Sequence, residues 1–152
     1  MVREGQAAPN FSLKDKDGKA VKLGDFKGKK VVLYFYPKDM TTGCTAEACD
    51  FQASWSAIKK AGAVVLGVSP DDEKRHQKFA EEYHLQFTLL ADPEHKVSEA
   101  FGVWKEKSMY GRKFMGIERS TFLIDEGGKV SKIWAKVRVK GHVAEVLDAL
   151  KA

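Results

Sequence analysis

The chain has 152 residues, and its 43% hydrophobic and 31% charged side chains supply one buried core while excluding a disordered or fibrous class. Its 26 basic and 21 acidic residues leave a net charge of +5 with no long basic run, which reads as a solvated surface and predicts no nucleic-acid partner. The longest apolar run, residues 31–36, is too short to cross a bilayer and Met-Val-Arg-Glu-Gly-Gln is no secretory signal, so a cytoplasmic protein without a membrane role is expected.

In chain order, residues 11–13 and 21–23 alternate in polarity on either side of the turn-rich Asp15-Lys-Asp-Gly-Lys19, which predicts a small N-terminal hairpin. Residues 31–36, Val-Val-Leu-Tyr-Phe-Tyr, read as a strand buried on both faces, stopped by Pro37. Ala48, Phe51, Trp55 and Ile58 recur at helical spacing, predicting a helix over 45–61 that Gly62 ends. Residues 63–69 form a second buried strand, 71–84 a helix with an acidic start, and 87–91 a third strand. Asp92-Pro93 opens a short helix that runs to Phe101. Between Phe101 and Thr121 no element is assigned. Residues 121–124 are a strand, Asp125-Glu-Gly-Gly128 a turn, 129–137 an antiparallel edge strand, and 142–150 a closing helix.

That order of elements implies an α/β chain of thioredoxin-like fold. It has a central, mostly parallel sheet, an antiparallel C-terminal hairpin, helices on both faces and an N-terminal β-hairpin extension. No repeat or linker divides the sequence, so residues 1–152 are expected to form a single domain.

Two cysteines, Cys44 and Cys49, make a poor structural disulfide in a reducing compartment, and any pairing between them would be transient and chemical. Cys44 follows a buried strand by one loop and falls at the opening turn of a helix, the side of an open α/β sheet where ligands bind. Unpartnered N–H groups and the positive dipole end there favour negative charge on sulfur, the nucleophilic form. Thr41, three residues earlier, can bring its hydroxyl to the sulfur or to a bound oxygen, and Pro37 can fold over the thiol and shield it from water. Other readings compete. An inert buried cysteine suits the polar stretch Thr41-Thr-Gly-Cys-Thr45 badly. Zinc would need nearby histidines, whereas His76, His84, His95 and His142 are scattered and read as surface residues. A thioredoxin-type exchange pair would place two residues between its cysteines, not four.

Pro37-x-x-x-Thr41-x-x-Cys44 matches the active-site signature of the peroxiredoxins. The wider Phe35-Tyr-Pro-Lys-Asp and Gly43-Cys-Thr-Ala-Glu-Ala-Cys-Asp-Phe51, with Ala8-Pro-Asn-Phe-Ser-Leu13 and the run Tyr110 to Asp125, resemble the bacterioferritin comigratory protein (PrxQ) branch. Thr42 departs from it, since many relatives carry proline there. The resemblance implies a thiol-dependent peroxidase for hydrogen peroxide and organic hydroperoxides, monomeric and without metal, haem or flavin cofactor. Cys44 would be the peroxidatic cysteine, Thr41 the hydroxyl that orients the peroxide and Arg119 the guanidinium beside the sulfur. Glu47 would orient Arg119 or merely complement the helix dipole. Cys49 takes the resolving position, closing a disulfide on the Cys44 sulfenic acid, and thioredoxin or another dithiol reductant would recycle the pair.

Geometry adds one expectation. Five residues of ideal helix separate two Cα atoms by about 8.7 Å, whereas a disulfide needs them within about 6.8 Å, so the start of the helix must unwind before the cysteines can bond. Three alternatives stay open: a one-cysteine peroxidase with an external resolving thiol, a thiol–disulfide oxidoreductase without peroxidase activity, and a redox-sensing binding protein. Trp55, Trp104 and Trp134 are expected to be packing residues.

Overall fold

The computed structural model describes residues 2–152. In it the two β-branched and aromatic runs become β3 (Lys30–Phe35) and β4 (Ala63–Ser69), joined in parallel register with Val32 opposite Val65 and Phe35 opposite Val68. β5 (Thr88–Ala91) continues the parallel set beside β4. The hairpin of β1 (Ser12–Asp15) and β2 (Ala20–Lys22) extends the sheet antiparallel to β5, while β8 (Ser120–Ile124) and β9 (Val130–Trp134) extend it antiparallel to β3. The order across the seven strands is β2-β1-β5-β4-β3-β8-β9. The thioredoxin-like α/β arrangement expected from the element order is the one formed.

Strand period sorts the core into two layers. Val32, Tyr34 and Tyr36 point to the side covered by α1 (Thr42–Ala53), α2 (Trp55–Lys60), α3 (Glu73–Glu82) and α5 (His142–Lys151), where Phe51, Ile58, Phe79, Val146 and Leu150 meet them. Val31, Leu33 and Phe35 point to the side covered by α4 (Lys96–Ala100), where they meet Val97, Phe101 and Phe122. Gly67 lies against Tyr34 so closely that a Cβ there would sit 2.9 Å from the ring, which only glycine permits.

Four details depart from the sequence pattern. The expected helix over 45–61 starts earlier, at Thr42, and breaks at Ser54, whose ψ of 5° lies outside helical values, so α1 and α2 are separate pieces. β9 ends at Trp134, and Lys136 turns left-handed with φ 49°. Residues without an assigned element form a separate hairpin, β6 (Trp104–Met109) with β7 (Arg112–Ile117). It turns on Tyr110 and Gly111, both at positive φ (53° and 76°), the mirror-image turn that suits the twist of two strands. Finally, His76 and His142 are buried, not at the surface as expected, because each has a buried polar partner. Among the described residues no helix is long and apolar enough to cross a membrane.

Candidate active site

β3 ends at Phe35 inside the sheet, between β4 and β8, and Tyr36 and Pro37 carry the chain past its carboxyl end towards α1. Thr41 is the N-cap residue of that helix, extended at φ −87° and ψ 156°, which makes Cys44 its third residue. The sulfur therefore lies in the turn whose N–H groups have no intrahelical partner. Cys44 is only 2% exposed and Cys49 is half-buried further along the same helix; both thiols are free. Burial, and then the charge of Asp50, push the Cys49 thiol above its ordinary value, so in the intact helix it is held as a neutral thiol.

Arg119 arrives from the short connection between β7 and β8 and divides its fork between two residues of α1. Its Nη2 donates to Cys44 Sγ at 3.2 Å, and its Nη1 donates to Glu47 Oε1 at 2.7 Å. Glu47 stands one turn beyond Cys44 with a completely buried side chain. Gly43 makes room for this arrangement, since a Cβ on it would lie 3.2 Å from Arg119 Nη2.

Burial pushes the Glu47 carboxyl up to about 7, against the opposing pull of Arg119, and its Oε2 has no hydrogen-bond partner. Burial also opposes the charge on Arg119, yet Glu47 and Cys44 beside it hold its pKa above the ordinary value. Lys107 of β6 faces the same site, and burial together with Arg119 lowers its pKa. The hairpin absent from the sequence pattern thus brings a cation near Cys44 and Arg119.

Of the residues the sequence singled out, Cys44 and Arg119 meet directly, with Glu47 joined to them through the guanidinium. Thr41 is exposed, and its hydroxyl donates to the Lys38 carbonyl at 2.7 Å, not to the sulfur. Pro37 is half-buried between Tyr36 and the loop. Sequence reasoning missed Lys107, and it missed the buried Asp39 and His76 behind the loop, although Asp39 lies within the quoted Phe35-Tyr-Pro-Lys-Asp. A surface cavity of about 410 Å³ lies at the other end of β3 against Leu23, Val31 and Ile124, away from Cys44 and Arg119.

A buried sulfur with a fixed cationic donor is built to attack an electrophile and to hold the charge that develops on a leaving oxygen. Comparison with known proteins points the same way. The family model AhpC/TSA matches residues 4–133. "Peroxiredoxin Bcp" of Bacillus subtilis is 58% identical over 150 residues, covering 99% of this chain and 96% of that one. A cysteine-to-serine mutant of Xylella fastidiosa PrxQ is similar in structure at a TM-score of 0.94, with 37% identity over 99% of this chain and 96% of that one. Bacterioferritin comigratory protein of Xanthomonas campestris, solved as trapped intermediate and ligand complexes bearing on alkyl peroxide reduction, matches at a TM-score of 0.89. It is 45% identical and covers 93% of this chain and 90% of the other.

Proposed function

The chain belongs to the AhpC/TSA family and is a peroxiredoxin, a thiol peroxidase, and on that premise we propose that Cys44 is its peroxidatic cysteine and Cys49 its resolving one. The Cys44 sulfur attacks the terminal oxygen of a hydroperoxide. A sulfur–oxygen bond forms, the oxygen–oxygen bond breaks, and the departing alkoxide or hydroxide takes up a proton and leaves as alcohol or water. Cys44 becomes a sulfenic acid. Cys49 then condenses with it, forming a disulfide and releasing water. Thioredoxin or a similar dithiol reductant restores both thiols while its own pair is oxidised.

The single observation that carries this reading is the fork of Arg119, 3.2 Å from Cys44 Sγ on one arm and 2.7 Å from Glu47 on the other. A lysine has one ammonium and cannot hold sulfur and carboxylate in a fixed plane. A preorganised donor at the developing oxyanion is worth about 3 kcal/mol of barrier. Glu47 keeps the fork in place. Thr41, its own proton committed to the Lys38 carbonyl, offers lone pairs that accept the O–H of an incoming peroxide. Hydrogen peroxide and organic hydroperoxides are the substrates in this reading, in line with the alkyl peroxide reduction described for the Xanthomonas campestris relative. The chain works as one domain and as a cytoplasmic monomer.

Intact mass after one equivalent of peroxide tests the assignment. The wild type should lose two hydrogens, Cys49→Ser should gain one oxygen, and Cys44→Ser should do neither. A wild type that keeps the oxygen until an external thiol is added would make this a one-cysteine enzyme. Reaction by Cys44→Ser would remove Cys44 from the chemistry.

A further inference from the structure

The loop between β3 and α1 is fastened by a buried cluster that the two cysteine steps do not use. Asp39 is completely buried and every polar atom it has is engaged. Its Oδ1 accepts the Tyr36 hydroxyl at 2.5 Å, and its Oδ2 lies 2.6 Å from His76 Nδ1. Its backbone N–H donates to Asp71 Oδ2 at 2.7 Å, and its carbonyl accepts from Arg75 Nη2 at 3.3 Å. Asp71 is fixed in turn by the Ser69 hydroxyl at 2.7 Å and by Arg75 Nε at 2.9 Å.

The protons in this cluster can be counted. His76 Nε2 is 3.0 Å from the Leu90 carbonyl, which only accepts, so Nε2 carries a hydrogen. One further proton lies between Nδ1 and Asp39 Oδ2, which makes the pair neutral as a unit. A neutral, fully bonded unit can be buried without the cost of an isolated charge.

What the cluster holds is the loop that leads from β3 into α1. Immediately after Asp39, Met40 is exposed and left-handed at φ 67°, a conformation that costs a residue with a side chain about 1 kcal/mol or more. Thr41 follows at the N-cap position of α1, its hydroxyl donating to the Lys38 carbonyl and not to the helix. An anchored residue on one side of the strained one determines where the next can be.

We infer that Asp39, clamped by Tyr36 and His76, is a positioning residue of peroxide reduction. It holds the backbone that presents Thr41 above Cys44, and it sets Met40 as the point beyond which α1 can unwind without loosening the rest of the loop. The inference rests on the reading of Cys44 as the peroxide nucleophile.

Asparagine at position 39 would keep an oxygen for Tyr36 and offer an N–H to neutral His76 Nδ1, preserving the clamp; alanine removes both contacts, and Tyr36→Phe removes one. Rapid-mixing kinetics separates Cys44 oxidation, second order in hydrogen peroxide, from the first-order closing of the disulfide. Asp39→Ala should lower the oxidation constant about 30-fold, as expected for a displaced reacting group. Tyr36→Phe should lower it about fivefold, the value of one buried hydrogen bond, and Asp39→Asn should stay within about twofold of wild type. The disulfide-closing constant should not fall in any of them. A purely structural role would reduce the reacting amplitude, through the folded fraction, and leave the oxidation constant alone.

Oxidation constants unchanged in Tyr36→Phe and Asp39→Ala, or lost as fully in Asp39→Asn as in Asp39→Ala, overturn the inference. If Asp39→Ala does not fold, Tyr36→Phe and Asp39→Asn decide it. A wild type that leaves peroxide untouched overturns the underlying reading and this inference with it, whereas an active wild type with unaffected variants overturns the inference alone.

Discussion

Ala46→Gly isolates the unwinding step. Ala46 is exposed on α1 between Cys44 and Cys49, so its methyl group packs against nothing and the substitution acts on the backbone alone. Both cysteines belong to one continuous helix, whose geometry keeps their Cα atoms about 8.7 Å apart when a disulfide tolerates about 6.8 Å. Unwinding must therefore precede bonding, and it gives up the burial of Cys44 and Ala48 together with the Glu47–Arg119 pair. Glycine in an exposed helix interior costs about 1 kcal/mol relative to alanine. That narrows the gap to the unwound segment and raises its population about fivefold. If unwinding is a rapid equilibrium ahead of the sulfur–sulfur step, the disulfide should close about fivefold faster, while Cys44 oxidation, a property of the intact helix, changes little. Quenched-flow mixing with one equivalent of peroxide, followed by alkylation and intact mass, reads the lifetime of the sulfenic acid directly. A lifetime equal to or longer than that of the wild type would refute the idea that unwinding gates the disulfide.

Arg119→Lys keeps the charge but loses the fork that spans Cys44 and Glu47, so peroxide consumption should slow at least about tenfold; a rate within twofold of wild type contradicts the role given to the guanidinium. Burial raises Glu47 from 4.5 to about 7, so the folded protein retains a proton that the unfolded chain has released. The stability this contributes is full below pH 4.5 and is lost as pH rises through about 7, roughly 3 kcal/mol in all. Denaturant titrations from pH 5 to 8 should show the wild type losing most of that, about 2.5 kcal/mol, against Glu47→Gln, and parallel curves would refute it. Gly67→Ala would set a Cβ 2.9 Å from the Tyr34 ring, which is pinned by stacking on Phe51 at 4.6 Å and cannot swing away. A cost of about 1–3 kcal/mol should appear as a lower Tm, and an unchanged Tm would show that the ring has room.

The parts of this fold that were legible in sequence are those whose signal is local. Val31 to Tyr36 announces a strand buried on both faces because each of its side chains meets a core, and the position of Cys44 at a helix opening follows from the loop before it. The β6–β7 hairpin stayed hidden because Lys105-Glu-Lys-Ser108 and Arg112-Lys113 show solvent-facing polarity instead of a buried alternation, and its turn is Tyr110-Gly111 without the usual asparagine or aspartate. Arg119 came from family resemblance alone. Its proposed role depends on a contact 75 residues away in sequence, which no periodicity records. His76 was misread for the same reason: its burial is stabilised by Asp39, 37 residues earlier, and an isolated histidine among lysines and glutamates looks solvent-exposed.

On the cysteine roles proposed above, the Arg119 fork reconciles two opposed steps on one helix. Cys44 and Glu47 sit one turn apart on α1, so the guanidinium beside the sulfur is the same group that ties down the turn which, in that reading, opens for the disulfide. A stronger tie would favour attack on peroxide and delay the disulfide; a weaker one would do the reverse. Burial of Glu47, with Oε2 unpaired and its carboxyl pushed up to about 7, makes the tie weaker than an ion pair of 2.7 Å would suggest. Once the first turn opens, the carboxylate recovers its hydration and the burial penalty is relieved, so unwinding gains back part of what it loses in packing. In that reading, a carboxyl whose burial carries a cost holds α1 formed for the first step without locking it against the second.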